Sequence, residues 1–251
     1  MSGRVAAIIP ARLGSTRLPN KPLLRETGRS LIQHVVERVR RTSRLDPILV
    51  ATDDRSILAE VESFGGRAVM TSIEHQSGTD RVAEVARELD VDAVINVQGD
   101  EPEIDPHELD RLAEAVLEPG AEIVTLAAPI HDEATYLNQN AVKVVVGERG
   151  RALYFSRRAI PWTADPVAAL QAGLVRKHVG VYAYSKSTLL RFTRLAPVEL
   201  ERSERLEQLR ALHHGITIRV LDTPTDSAGI DTPDDYAKFV KRWMSGAKET
   251  R

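Results

Sequence analysis

Four short apolar runs in the first hundred residues constrain this chain most. They are "VAAII" (5–9), "PILVAT" (47–52), "RAVMT" (67–71) and "DAVINVQ" (92–98). Continuous apolar runs of this length suit strands covered on both faces. Amphipathic stretches separate them. "SLIQHVVERVRR" (30–41) sets Leu31, Val35, Val36 and Val39 on one helical stripe behind Ser30, a suitable N-cap. "SILAEVESFGG" (56–66) reads as a helix stopped by glycines, and "TDRVAEVARELD" (79–90) as a helix with Val82, Val85, Ala86 and Leu89 inside. Strand and helix alternating at this spacing predict parallel crossovers. The fold class is therefore α/β: an open, mostly parallel sheet sandwiched by helices. Ligands of such sheets bind at the carboxyl ends of the strands. Arg12, Asp53, Gln98 and Asp100 fall there.

The second half is less regular. Strands are expected at 121–130, 141–147, 152–162 and 178–185, one helix over 201–215, and a last helix over 232–244. The chain reads as a single domain, 1–251, with an insertion at about 125–185.

Bulk properties narrow the function. The net charge of −2 leaves no overall polycation for a nucleic acid backbone. The absence of cysteine excludes disulfides, thiolate metal sites and a Cys nucleophile. No apolar run approaches the roughly 20 residues of a membrane span. "MSGRVAAIIPAR" reads as a first core strand, because Arg12 and Arg17 stand where a signal-peptide cleavage site would lie. The expected compartment is the cytoplasm.

Three motifs carry chemistry. In "IIPARLGSTRLPNKPL" (8–23), Arg12, Arg17 and Lys21 follow the first strand in a loop stiffened by Pro19 and Pro22. Amides after a parallel strand and three cations suit a triphosphate. The spacing is neither a P-loop nor a dinucleotide fingerprint, and a solvated charged loop is equally compatible with it. In "INVQGDEP" (95–102) a buried strand emerges into Gln98, Gly99 and Asp100, where a carboxylate could hold Mg²⁺; a turn with solvated acids reads the same way. In "GIDTPDDYAKF" (229–239), Thr232, Pro233 and Asp235 are explained by helix capping, whereas Asp231 is not. Asp231 is either a second oxygen ligand or a plain loop residue. "EHQSGTDR" (74–81) adds Ser77 and Gly78 as small groups with open N–H donors, and Arg81 as a cation at a helix start, where the dipole mildly disfavours it and an acidic ligand would explain it; a Ser/Thr cap with a solvated Arg reads equally well.

These residues resemble a known family. "IPARLGSTRLPNKPL", "ATDD", "HQSGTDR", "NVQGDEP", "NAVKVV", "ALYFSRRAIPW", "HVGVYAY", "LEQLR" and "GIDTPDD" stand in the order found in the 3-deoxy-manno-octulosonate (Kdo) cytidylyltransferases of lipopolysaccharide assembly. The match runs from about Val5 to the last helix. The stretch "TPTDSA" (223–228) departs from the family in having less glycine. The resemblance implies a glycosyltransferase-A-like fold, a homodimer built largely through the insertion, Mg²⁺ dependence, and transfer of CMP from CTP to an acidic keto-sugar. It places Arg12 and Lys21 on the CTP phosphates. The loop from Pro10 and Ala11 to Thr16, with Ser77 and Gly78, would frame the nucleotide. Asp100 and Asp231 would hold the metal, making Arg12, Lys21, Asp100 and Asp231 the catalytic set. Arg81, Gln98, Arg157, His178, Tyr182, Glu207 and Gln208 would line the sugar pocket. Competing readings are a cytidylyltransferase for an 8-amino octulosonate or a nonulosonate, and a nucleotide-sensing module without catalysis.

Overall fold

A computed structural model of the chain describes residues 3–14, 17–224 and 229–246. Thr16, residues 225–228 and the tail from 247 lie outside the described residues. In chain order the elements are β1 (Val5–Ala11), α1 (Leu31–Val39), β2 (Leu45–Thr52), α2 (Arg55–Ser63), β3 (Ala68–Met70), α3 (Gly78–Arg87), β4 (Ala93–Asn96), α4 (Pro106–Val116), β5 (Ile123–Pro129), α5 (Glu133–Leu137), β6 (Lys143–Val146), β7 (Ala152–Ser156), α6 (Pro166–Gln171), β8 (Arg176–Ser185), α7 (Lys186–Phe192), α8 (Glu199–Glu204), α9 (Gln208–His213), β9 (Ile218–Asp222) and α10 (Pro233–Met244). The sheet is mixed and mostly parallel in the first half, with helices flanking the strands, as the alternation requires. No helix among the described residues is long and apolar enough to cross a membrane.

Two compact units divide the chain: Met1–Asp110 with Ser227–Arg251, and Arg111–Asp226. In the first, the strands run β3-β2-β1-β4, all parallel. Ala6, Ala7, Ile8 and Ile9 of β1 and Val94 and Ile95 of β4 are completely buried, which is why these runs show no polar alternation. Ser30 caps α1 by accepting from Gln33 N–H, and Asp54 caps α2 by accepting from Ser56 and Ile57. The Ser56 hydroxyl bond is the main cause holding the Asp54 carboxyl below its usual range. Thr232 and Asp235 form a capping box on α10 with Pro233 at its start, so these three residues are explained by local chemistry. Helix α10 is then fastened by apolar contact: Ile230, Tyr236 and Phe239 pack with Leu18 and Leu31. Each such side chain contributes about 1.5–3 kcal/mol when fully buried.

In the second unit β5 pairs antiparallel with β8 and parallel with β9, while β6 pairs antiparallel with β7 and β8. Two expectations fail here. Residues 157–162 are not strand; β7 ends at Ser156, where Glu204 accepts from the Ser156 hydroxyl (2.6 Å) and the Arg157 amide (3.0 Å). The helix expected over 201–215 is two helices, broken at Arg205 with φ 53°. The break turns Leu206 into the core, at 6% exposure, and frees Glu204 for the end of β7. Lys143 is fully buried, and its ammonium donates to the carbonyls of Asn138 (2.8 Å), Ala141 (2.6 Å) and Arg157 (2.8 Å). Burial is the main cause lowering its pKa.

Candidate active site

A cavity of about 350 Å³ opens in the first unit at the carboxyl ends of β1 and β4. These strands are neighbours whose crossovers leave in opposite directions through the order β3-β2-β1-β4, the switch point where open α/β sheets take ligands. Pro10, Ala11 and Arg12 reach it from β1, Gln98, Gly99 and Asp100 from β4, Ser77, Gly78 and Arg81 from the start of α3, and Asp231 from the residue before the α10 cap. Lys21 enters from a one-turn 3-10 helix, Lys21–Leu23, with Pro22 in its first turn and Asn20 left-handed before it (φ 55°). The proline thus fixes the segment that carries the lysine.

The two acids, 131 positions apart in the sequence, share one cation. The Lys21 ammonium donates to Asp100 Oδ2 at 2.6 Å, to the Ile230 carbonyl at 2.9 Å and to Asp231 Oδ1 at 3.4 Å. A backbone bond makes this possible: Ile230 N–H donates to the Asp100 carbonyl at 2.9 Å, tying the segment before α10 to the loop after β4. Asp235 holds the other side, accepting from the amides of Asp231 (3.3 Å) and Thr232 (3.0 Å). Its carboxyl is held below the usual range, chiefly by the Thr232 hydroxyl. Arg17 lies 3.2 Å from Asp231 Oδ2. Arg12 is exposed and forms no ion pair with an acid among the described residues.

Gly99 is required, though not for a ligand. A Cβ there would stand 2.8 Å from the Pro10 carbonyl oxygen, so the ends of β1 and β4 approach each other too closely for a side chain. The acid that answers Arg81 at the start of α3 is also internal. Its guanidinium, 3% exposed, reaches Asp53 Oδ2 at 2.6 Å, the Thr71 hydroxyl, and the Ser72 carbonyl at 3.4 Å. Nε–H and one Nη2–H remain without a partner among the described residues. Ser77 caps α3, accepting from Asp80 N–H, and Gly78 is exposed at the first helical position, its N–H among those a helix leaves unsatisfied. His75 and Gly14 line the same cavity and were not singled out from the sequence. His75 pairs with Glu84; its place just before "QSGTDR" is the one signal that could have marked it.

Hard oxygen donors surround the ammonium: two carboxylates and a carbonyl. That donor chemistry suits Mg²⁺. Among the described residues no group of three or more His, Cys, Asp or Glu could hold a metal ion. Two carboxylates would therefore leave the rest of the shell to water and phosphate, the usual manner of binding for Mg²⁺.

Arg157, His178, Tyr182, Glu207 and Gln208 fall in the second unit. There the register of β5 against β8 shifts between Thr125 and Leu126, a bulge beside His178 and Tyr182. The Thr125 hydroxyl donates to the Val181 carbonyl at 2.7 Å, so His178 Nε2, 3.1 Å away, is the donor to Thr125 and Nδ1 is left as an acceptor. Burial, with the charge of Lys177 second, pushes the imidazole down to about 3; it is neutral at pH 7. The Tyr182 hydroxyl is buried without a hydrogen-bond partner among the described residues, and burial raises its pKa. An unpartnered buried hydroxyl costs about 1–3 kcal/mol, which a ligand group would recover. Arg157 is held in place by the Glu204 carbonyl on Nε (2.9 Å). Glu207 sits at the N-cap position of α9 and Gln208 is its first residue.

Residues 6–218 match the family model described as "Cytidylyltransferase". The 3-deoxy-manno-octulosonate cytidylyltransferase of Syntrophobacter fumaroxidans is 49% identical over 241 residues, covering 94% of this chain and 96% of its own. That of Trichlorobacter lovleyi is 46% identical over 251 residues, covering 97% and 100%. Among solved structures, a CMP:2-keto-3-deoxy-manno-octonic acid synthetase complexed with CTP aligns with a TM-score of 0.91 at 39% identity, over 97% of this chain and 99% of that one. A 4-diphosphocytidyl-2C-methyl-D-erythritol synthase from Anaerococcus prevotii, at 15% identity and a TM-score of 0.64 over 97% of both chains, shares the fold.

Proposed function

The chain belongs to the cytidylyltransferase family, and from that premise we propose that its first-unit cavity is the nucleotide site of an enzyme acting on Kdo. The reaction is transfer of CMP from CTP to the anomeric hydroxyl of Kdo, giving CMP-Kdo and pyrophosphate for lipopolysaccharide synthesis. One observation supports the site assignment above the others. Asp100 and Asp231 meet on a single cation, in a cavity that also holds Arg12 and Arg17.

The Kdo hydroxyl attacks the α-phosphorus in line, giving up its proton to solvent; its bond to phosphorus forms as the α–β bridging bond breaks and pyrophosphate leaves. The chain mainly positions the reactants and neutralises charge. Arg12 and Lys21 take up charge on the departing pyrophosphate. Pro10, Ala11, Ser77 and Gly78 frame the nucleotide. Asp100 and Asp231 would hold Mg²⁺, which when bound supplies charge stabilisation at the phosphoryl oxygens. Arg81, braced by Asp53, offers its remaining N–H groups to the sugar carboxylate, with Gln98 beside it. In the second unit Arg157, His178, Tyr182, Glu207 and Gln208 serve sugar recognition. The neutral His178 ring and the unpartnered Tyr182 hydroxyl support hydrogen bonding to sugar hydroxyls rather than proton transfer. A homodimer through the 125–185 region and a cytoplasmic location complete the reading.

Pyrophosphate release tests it. CTP with Kdo should support turnover, and omission of either should abolish it. Release with only an 8-amino octulosonate or a nonulosonate would move the substrate assignment; a lack of release with every sugar would overturn it.

A further inference from the structure

The Lys21 ammonium has three hydrogens and three acceptors: Asp100 Oδ2, the Ile230 carbonyl and Asp231 Oδ1. Its side chain is 14% exposed, so the Asp100 and Ile230 contacts are partly shielded from water, whereas Asp231, 51% exposed, faces it. Two consequences follow. The lysine cannot hold a phosphate without giving up one of these acceptors. A divalent ion on Asp100 and Asp231 would compete with it for the same two carboxylates and would face a positive charge within a few ångströms. Lysine carries its charge on a flexible four-carbon stem, so the head can move while the 3-10 turn stays in place.

We infer that Lys21 is an exchangeable internal counter-ion: it neutralises the Asp100–Asp231 pair in the free enzyme, excludes divalent cations from it, and yields the pair only when a nucleoside triphosphate offers the ammonium a new anionic partner. Lys21 would thus be a positioning residue for the metal as well as a phosphate ligand. This rests on the reading of the two acids as the metal site. It makes metal and nucleotide binding mutually dependent, because a group that must leave one partner for the other couples the two equilibria. Arg17 does not repeat the device, since among the described residues its guanidinium pairs with Asp231 and not Asp100, and it is 61% exposed.

The experiment titrates Mn²⁺ alone, without nucleotide, into the full chain, following the free-ion signal by electron paramagnetic resonance. The proteins are the parent, Lys21→Met, Lys21→Gln, Lys21→Arg, Asp100→Asn and the double variant Lys21→Met with Asp100→Asn, each checked by thermal melting. The expected result is roughly tenfold or greater tightening in the two neutral variants, within the usual 5–150-fold range of coupling between sites. Lys21→Arg should stay as weak as the parent, because a cation is retained. The double variant should lose the gain. If the neutral variants bind no tighter than the parent while Asp100→Asn still weakens binding, the counter-ion inference is wrong and the metal site stands. If Asp100→Asn weakens binding in no background, the metal site itself is wrong and the inference falls with it.

Discussion

Gly99→Ala removes nothing and adds one methyl group. The new Cβ would lie 2.8 Å from the Pro10 carbonyl oxygen, with Ile9 Cγ2 at 3.7 Å and Ala11 Cβ at 3.8 Å already in ordinary contact. The close partner is backbone of β1, fixed in the sheet between β2 and β4, and cannot swing aside. Reaching an ordinary 3.4 Å contact means parting the two strand ends by about 0.6 Å. Overpacking of this kind costs about 1–3 kcal/mol. For a chain of this size each kcal/mol lowers the melting temperature by about 2–4 °C. The displaced segment leads directly into Asp100, whose contact with Lys21 is only 2.6 Å. A misplacement approaching 1 Å costs on the order of 10² in rate, so turnover should fall about ten- to a hundredfold. The assays are calorimetry and pyrophosphate release with CTP and Kdo. Gly14→Ala is the control: Gly14 lines the same cavity, has open space around its Cβ position and should melt as the parent does. A Gly99→Ala protein with parental melting temperature and full turnover would refute the idea that close strand approach sets the position of Asp100.

Asp100→Asn keeps the shape and removes the charge; kcat should drop by about 10²–10³, by analogy with loss of other charge-stabilising groups. A drop of less than threefold in pyrophosphate release would contradict its role. His178 makes stability acid-sensitive: its folded pKa of about 3 lies below the unfolded value of about 6.5, so the unfolded chain binds the extra proton between them. Its contribution is complete above pH 6.5 and is lost as pH falls toward 3, by about 3 kcal/mol at pH 4.5. His178→Gln should therefore lose less melting temperature than the parent between pH 7 and 4.5; parallel losses would count against it. Lys143→Met leaves three carbonyls without their donor, and denaturant unfolding should show a loss of about 3–5 kcal/mol, whereas a loss under 1 kcal/mol would mean that water replaces the ammonium.

Much of the first unit was legible because its determinants are local. The strands β1, β2 and β4 are buried on both faces and read as unbroken apolar runs. The caps at Ser30 and Thr232 announce α1 and α10 through single side chains. Helix α4 is missing from the sequence reading even though Pro106, Leu109 and Leu112 give it a helical signal. The second unit hid its structure in tertiary contacts. The break at Arg205 follows from where Leu206 is buried and what Glu204 binds, and neither is written in the helical period of 201–215. The site divides the same way. The cations of the first loop and the acid after β4 stand out by residue type. The approach of Asp231 to Asp100 depends on the Ile230 amide and on the packing of Tyr236 and Phe239 beneath it. The bracing of Arg81 by Asp53 likewise joins two motifs that the sequence leaves apart.

All of the proposed chemistry has its centre between residues 100 and 231, and a crystal of the enzyme grown with CTP and Mn²⁺ examines that point most directly. The manganese anomalous peak should lie about 2.0–2.2 Å from a carboxylate oxygen of each acid, with the Lys21 ammonium moved onto phosphate oxygen. A peak elsewhere, with both carboxylates still gathered on Lys21, would contradict it.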